Sequence, residues 1–516
     1  MEKSEKLANT AIAAALREGA EYADARIVDR RFEMLELDNG GIQVFDNTRS
    51  SGFGVRVLSG GAWGFDCSPL LNESEAKKIG RNAALLAKAC SKLRKKKIKL
   101  LPVKPFRAYW GAKVKLDPFK VPLKQKVDFL RELSAKAFSF PQVKNLHGGM
   151  DFESEHKVFA SSEGSFIVQD LLYSAVGYLL NVDNGDGAIP IAFNSEYPPW
   201  GWNGNYHGMG YETVNERQLK SGIAASVEKG LSLLSDMKEA TTCPTGIIDC
   251  IGGLDIHHFA GHPIELDRIN GAETNFAGTT FIKTDDLGKL KIGSKLINLE
   301  VNGNTVVRHR PKKDFGKYWK YFEIIQNKGD IYSPANYGYD DEGVPAKRLD
   351  IIKEGVLLRC LNSRETAQEA GQEYLTASMR AHGWNRPPII RMHNMHILPG
   401  STSIRKLIES TERGLIIGPP IPGMGAVWEV TQSRDRSKSV APLGLSWEIK
   451  NGKIIRPVKG GIRSYEPLQL WKSVDAVCDE EVSTLDIVRC GKGQPHQSVV
   501  TFHRSSIFRQ KNGVIE

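Results

Sequence analysis

The chain has 516 residues, of which 41% are apolar and 25% charged, the balance of an ordinary soluble globular protein. That length exceeds what one hydrophobic core sustains, so two or three domains are expected, and no run of apolar residues is long enough for a transmembrane helix. Seven scattered cysteines without paired spacing argue against a disulfide framework and for a reducing, cytoplasmic compartment.

The net charge of +10 suggests nucleic acid until it is located. Fourteen Lys and Arg stand against one acid, Asp117, between Lys88 and Lys126. No aromatic or RNP-like pattern accompanies them, so a solvated helix end and linker is a better reading than a polyanion-binding patch. Neither nucleic acid nor a membrane is expected as a partner.

Leu7, Ala11 and Ala15 recur at helical spacing and predict a helix over about residues 3–19. Its mixture of Glu, Lys and Arg suits a surface helix better than a secretory signal. Residues 23–28 and 32–37 alternate as two strands, and Asn39-Gly40-Gly41 marks a hairpin turn. Strands over 51–58 and 62–65 flank a Gly-Gly turn, and a helix over about 73–93 closes this unit. The Pro- and Lys-rich residues 100–120 read as a connector. An amphipathic helix then places Leu123, Val127, Leu130 and Ala137 on one face, and two strands meet at Ser161-Ser162-Glu163-Gly164.

The aromatic, Gly-rich residues 197–211 read as a loop. A helix carrying Ile223, Val227, Leu231 and Leu234 leads to a break at Cys243-Pro244. Beyond it strands dominate, and Asn302-Gly303 and Asn451-Gly452 carry the signature of type I′ hairpins. Asp340-Asp341-Glu342 reads as a solvated turn. The expected fold is α+β: an N-terminal part of helices and antiparallel sheet, and a C-terminal, strand-dominated part carrying the candidate metal site. Expected divisions are an N-terminal α+β domain over 1–100, a central α+β connector domain over 101–240 and a β-rich domain over 241–516.

The candidate chemistry lies in residues 252–267, where His257, His258, His262, Glu265 and Asp267 crowd together. Imidazoles and carboxylates at this density are what a divalent metal requires. On a regular α-helix, residues five apart point about 140° apart and residues four apart about 40°. Spacing alone therefore favours His258 and His262, with Glu265 one turn further along. His257 and His262 could share an ion only through a π-bulge or a helix end. Far downstream, Cys490 sits in a Gly-rich turn beside Lys492, a setting that could favour thiolate. His393 and His396 read as ordinary polar or core histidines; His496 and His503, downstream of Cys490, could hydrogen-bond a ligand from behind, but surface positions are the better reading.

The segment His257-His258-Phe259-Ala260-Gly261-His262 resembles the HExxxH signature of the TldD/PmbA family of metalloproteases. Supporting matches run the length of the chain. They include Gly54-Val55-Arg56-Val57, Ser162-Glu163-Gly164, Asp340-Asp341-Glu342-Gly343-Val344-Pro345, Leu398-Pro399-Gly400 and Cys490-Gly491-Lys492-Gly493-Gln494. The resemblance implies Zn²⁺ on His257, His262 and Cys490, with small or unfolded polypeptides cut in a cavity enclosed between subunits, as a homodimer or a heterodimer with a related subunit. Where the family has Glu after the first histidine, this chain has His258. The catalytic base is therefore expected to be His258, an imidazole able to act near neutral pH, or Glu265. Otherwise the chain is a non-catalytic zinc-binding subunit of such a complex.

Overall fold

The structure is a computed structural model. It describes residues 2–193, 206–236, 238–239, 246–249, 256–273, 279–307, 331–417, 429–432, 437–442, 446–459, 462–480, 483–511 and 514–515. The break at Cys243-Pro244 and most of the expected aromatic loop lie outside those residues. The fold is α+β.

The eight-stranded N-terminal sheet includes β1 (Tyr22–Asp38), β2 (Gly41–Ser59), β3 (Ala62–Ser68), β4 (Arg107–Gly111), β5 (Val143–Ser161) and β6 (Phe166–Asp183), in the order β3-β2-β1-β5-β6-β4, and Ala188–Phe193 and Tyr206–His207 also pair with β6. It draws strands from both sides of residue 100. Asn39 and Gly40 both take positive φ, 51° and 82°, as the expected β1–β2 hairpin requires. The two strands expected over 23–37 are one strand, because β1 is laddered on both edges, to β2 and to β5, along its length. The slip in alternation is absorbed by a register shift between Glu36 and Leu37 in the β1–β2 ladder. The expected connector contains β4, which adds in parallel to β6.

Alternation divides this sheet chemically. One face carries Ala25, Ile27, Leu35, Val55, Val57, Met150, Phe152, Val158 and Ala160, all buried. Helices α1 (Glu2–Arg17) and α2 (Glu73–Ser91) cover one part of it, and α3 (Leu123–Phe138) and α4 (Glu216–Asp236) another. The other face carries Asp24, Arg26, Arg30, Arg56, Glu153, Glu155 and Lys157, and these are also mostly buried, because the C-terminal part lies against them. Burying charge is costly unless every charge is paired, and here partners come both from within the sheet and from across the contact. Arg56 holds Asp24 at 2.7 Å and Glu342 at 3.0 Å. Lys157 reaches Asp341 at 3.2 Å, and Arg489 reaches Glu153 at 3.1 Å.

The acidic run 340–342 is thus no solvated turn. Its three carboxylates are buried, and Glu342 also accepts from the backbone N–H of Arg364 at 2.8 Å. Gly343, at φ +77°, lets this loop approach the sheet, since a Cβ there would lie 2.8 Å from the Phe159 ring. Parts of the basic segment are also occupied: Arg94 pairs with Glu365, Lys96 with Glu369, and buried Lys126 with Glu33.

The C-terminal part holds a six-stranded sheet that includes β7 (Leu299–Val301), β8 (Leu349–Lys353), β9 (Asn394–Ile397), β10 (Ser483–Lys492) and β11 (Gln497–Ser506). Its order is Val356–Leu357, β8, β7, β9, β11, β10. The Asn451-Gly452 hairpin forms as expected, joining Ser446–Lys450 to Lys453–Lys459. The Asn302-Gly303 hairpin does not: both edges of β7 are taken, by β8 and β9, so the chain cannot fold back beside it. No helix among the described residues is long and apolar enough to cross a membrane.

The contact between the two parts has a pH signature. Burial alone would raise Glu153, but Arg489 and Arg30 more than offset it and hold it at about 2. A carboxylate depressed in the fold stabilises fully above its unfolded pKa, and that contribution is lost as pH falls through the folded value. Stability is therefore expected to fall between about pH 4.5 and pH 2. Glu153→Gln should be less stable than the parent at pH 7 and lose part of that acid dependence in urea unfolding measured across pH.

Candidate metal centre

Strand Gly246–Asp249 runs parallel to Arg413–Ile417 and leads, through residues outside the described set, to a short helix over Ile256–Gly261. That helix is a π-helix, followed by a 3₁₀ turn over His262–Ile264. The i→i+5 bonding of a π-helix brings residues five apart onto one side, so His257 and His262 meet with ring centroids 4.8 Å apart. Gly261 permits the packing below: a Cβ there would lie 2.0 Å from the Met392 sulfur.

Cys490 arrives from β10, the terminal strand of its sheet among the described residues. Its Sγ lies 3.3 Å from His262 Nε2, and one ligating atom from each of His257, His262 and Cys490 falls within 4.8 Å of the others. All three residues are buried. The donor chemistry fits a tetrahedral zinc-type site: sulfur and nitrogen at about 2.3 and 2.05 Å from one ion would stand about 3.5 Å apart.

Behind His262 lies a charged anchor. Glu265 Oε2 meets His262 Nδ1 at 2.9 Å, Arg268 Nε at 2.8 Å and Lys492 Nζ at 3.1 Å. A proton on His262 Nδ1 leaves the Nε2 lone pair facing the sulfur, the usual second partner of a ligating histidine. Lys492 also donates to Asp267 at 2.8 Å and to the Ile390 carbonyl at 3.0 Å. It therefore serves the carboxylates and not the thiol, as its place beside Cys490 had suggested. The cation that favours thiolate at Cys490 is Arg391, which also binds the Cys490 carbonyl at 2.6 Å. Burial alone would raise the Cys490 thiol, but His262 and Arg391 more than offset it and leave it below the ordinary value. Burial would likewise raise Glu265, and Lys492 and His262 hold it well below the usual carboxylate range.

Of the residues singled out in the sequence, His257, His262 and Cys490 converge, and Glu265 stands behind His262. His258 lies on the π-helix with its side chain outside the described set. His393 and His396 are buried, as core histidines would be. His503, expected at the surface, is fully buried with Nε2 2.9 Å from His257 Nδ1. Alternation could have signalled it: Cys490 pairs with Val499, and Val499, Thr501 and His503 share that face.

Two family descriptions match the chain: "PmbA/TldA metallopeptidase C-terminal domain" over residues 256–503 and "PmbA/TldA metallopeptidase domain 1" over residues 23–88. The chain belongs to the TldD/PmbA family. It is 26% identical to a metalloprotease from Methanocaldococcus jannaschii over 92% of this chain and 93% of that one. It is 21% identical to a zinc metalloprotease TldD homolog from Saccharolobus solfataricus over 78% and 80% of the two chains. In fold it is similar to a protein from Thermotoga maritima described as a modulator of a DNA gyrase, with a TM-score of 0.67, 14% identity and coverage of 100% and 99%. It is also similar to TldE from Thermococcus kodakarensis, with a TM-score of 0.65, 14% identity and coverage of 98% and 99%. The His, His, Cys cluster lies inside the matched C-terminal domain.

The anchor behind His262 has a measurable weight. Lys492→Met would leave Glu265 and Asp267 without their shared cation. We expect a loss of about 3–5 kcal/mol in urea unfolding at pH 7, with unchanged stability arguing against the anchor.

Proposed function

We propose that this chain is a zinc-dependent peptidase acting on small or unfolded polypeptides, with His257, His262 and Cys490 holding one zinc ion. The observation that carries the reading is the meeting of two imidazoles and a thiol from segments 228 residues apart in one buried cluster. Three protein donors with a position left for water is the pattern of catalytic zinc, whereas structural sites take four.

When bound, zinc supplies a Lewis acid and a water that loses its proton near neutral pH. The chain supplies the rest. Glu265 fixes the His262 tautomer, Lys492 and Arg268 fix Glu265, and Arg391 favours the thiolate form of Cys490. Glu265 is committed behind His262, so the base role falls to His258, whose neutral ring can take a proton from the attacking water. Extended substrate could add along β10, the terminal strand that carries Cys490, through main-chain hydrogen bonds. A second copy, or a related subunit as the likeness to TldE suggests, would enclose the cavity. The scattered, unpaired spacing of the cysteines supports a reducing, cytoplasmic setting for this chemistry.

His258, standing where the family motif has Glu, favours a second reading in which this subunit holds zinc and a paired subunit cuts. Two measurements separate them. Purified protein should carry zinc near one per chain, and both His262→Ala and Cys490→Ser should lose it. Retention by the Cys490 variant would overturn the ligand set. The parent alone should cleave a disordered peptide library and stop with chelator, while His258→Ala keeps its zinc and loses about 10²–10⁴-fold in rate. A zinc-loaded chain that cuts nothing would establish the second reading.

A further inference from the structure

We propose that His503 is the positioning residue for His257, selecting the tautomer in which that imidazole can ligate a metal. The inference rests on the zinc reading above and concerns a side chain outside the ligand set. His503 lies on β11, opposite Asp486 of β10 and beside Met395 of β9. Its ring is fully buried and stands 5.1 Å from the His257 ring, inclined at 66°.

The close contact is between two ring nitrogens, His257 Nδ1 and His503 Nε2, at 2.9 Å. One proton must lie between them, and it can belong to either ring. If His503 donates, a neutral His257 carries its own hydrogen on Nε2 and has no lone pair there for an ion. If His257 donates from Nδ1, its Nε2 carries the lone pair. Only the second arrangement is compatible with a ligating His257. His503 must then be an acceptor at Nε2, with its own hydrogen on Nδ1. Thr501 Oγ1, 3.2 Å from the same Nε2, lies on the same face of β11; because that nitrogen offers a single lone pair, the hydroxyl must point its hydrogen elsewhere when His257 donates.

The two imidazoles of the cluster are thus oriented by different chemistry. Glu265 brings a charge to His262 and needs Lys492 and Arg268 beside it. His503 brings a neutral acceptor to His257 and needs no further cation. A second carboxylate at this point would add another buried charge beside Glu265, at a cost in desolvation.

The test is metal affinity measured by competition with a chromophoric chelator, using Zn²⁺ on the full chain. His503→Phe keeps a flat ring and removes the acceptor. It is expected to bind zinc about 10–100-fold more weakly than the parent, with the metal-free protein unfolding in urea near the parent's midpoint. His503→Gln can place an amide oxygen near the lost nitrogen and should recover most of the affinity. A His503→Phe variant that binds as tightly as the parent would overturn the inference. A parent that binds no zinc would instead overturn the reading on which it rests. A second measurement needs no variant: nitrogen-15 spectra of the zinc-loaded, histidine-labelled parent should show His257 protonated at Nδ1 and His503 unprotonated at Nε2. The reverse assignment would sink the proposal.

Discussion

His257 and His262 stand five positions apart, and the site depends on how the chain between them is wound. In a regular α-helix the two rings would face about 140° apart, and no single ion could bind both. The π-winding of Ile256–Gly261 and the 3₁₀ turn that follows remove that obstacle by turning both imidazoles toward β10. Such winding is rare and recurs at functional sites. Here it is held by what surrounds it: Met392 packs directly against Gly261 and would have to move to admit a Cβ, and His262 is tied through Glu265 to Lys492 of the strand that carries Cys490. The ligand cluster and its anchor therefore join the same two segments twice.

The N-terminal sheet acts on this site at one remove. Its apolar face is spent on helices, and its charged face is buried against the C-terminal part through Arg56, Lys157 and Glu153. Arg489 and Cys490 are neighbours on β10, so alternation sends them to opposite faces. One side chain locks the strand to Glu153 while the other presents its thiol to the histidines. Buried ion pairs are poor evidence of net stability. Their value here lies in geometry, since a slip of one residue would exchange the two side chains and dismantle both contacts.

Much of the scaffold is legible in the sequence because the signals are local. The periodicity of Leu7, Ala11 and Ala15, and the dipeptides Asn39-Gly40 and Asn451-Gly452, each fix their element through short-range sterics. What is not legible is set by partners distant in the chain. Asn302-Gly303 has a hairpin signature but follows a strand whose edges are already taken. Asp340-Asp341-Glu342 looks solvated until Arg56 and Lys157, far away in sequence, are found above it. Lys492 lies next to Cys490 along the chain and yet serves Glu265.

The candidate site shows the same division. Spacing on an ideal helix favours His258 with His262, and the resemblance to the TldD/PmbA signature points instead to His257. The structure supplies the reason in the π-winding. His503 can be singled out only as a histidine downstream of Cys490, because one histidine in a strand carries no signal of its own; the pairing of β10 with β11 places it beside His257. Glu265 is legible as a residue of the site but not in its role, which follows from contacts to His262, Arg268 and Lys492 together.

The central claim is that a thiolate and two imidazoles from distant segments grip one ion. The most direct measurement is X-ray absorption at the zinc edge of the purified, zinc-loaded chain. The account requires one sulfur at about 2.3 Å and nitrogen neighbours at about 2.0–2.1 Å. A first shell of nitrogen and oxygen alone, with no sulfur, would contradict it.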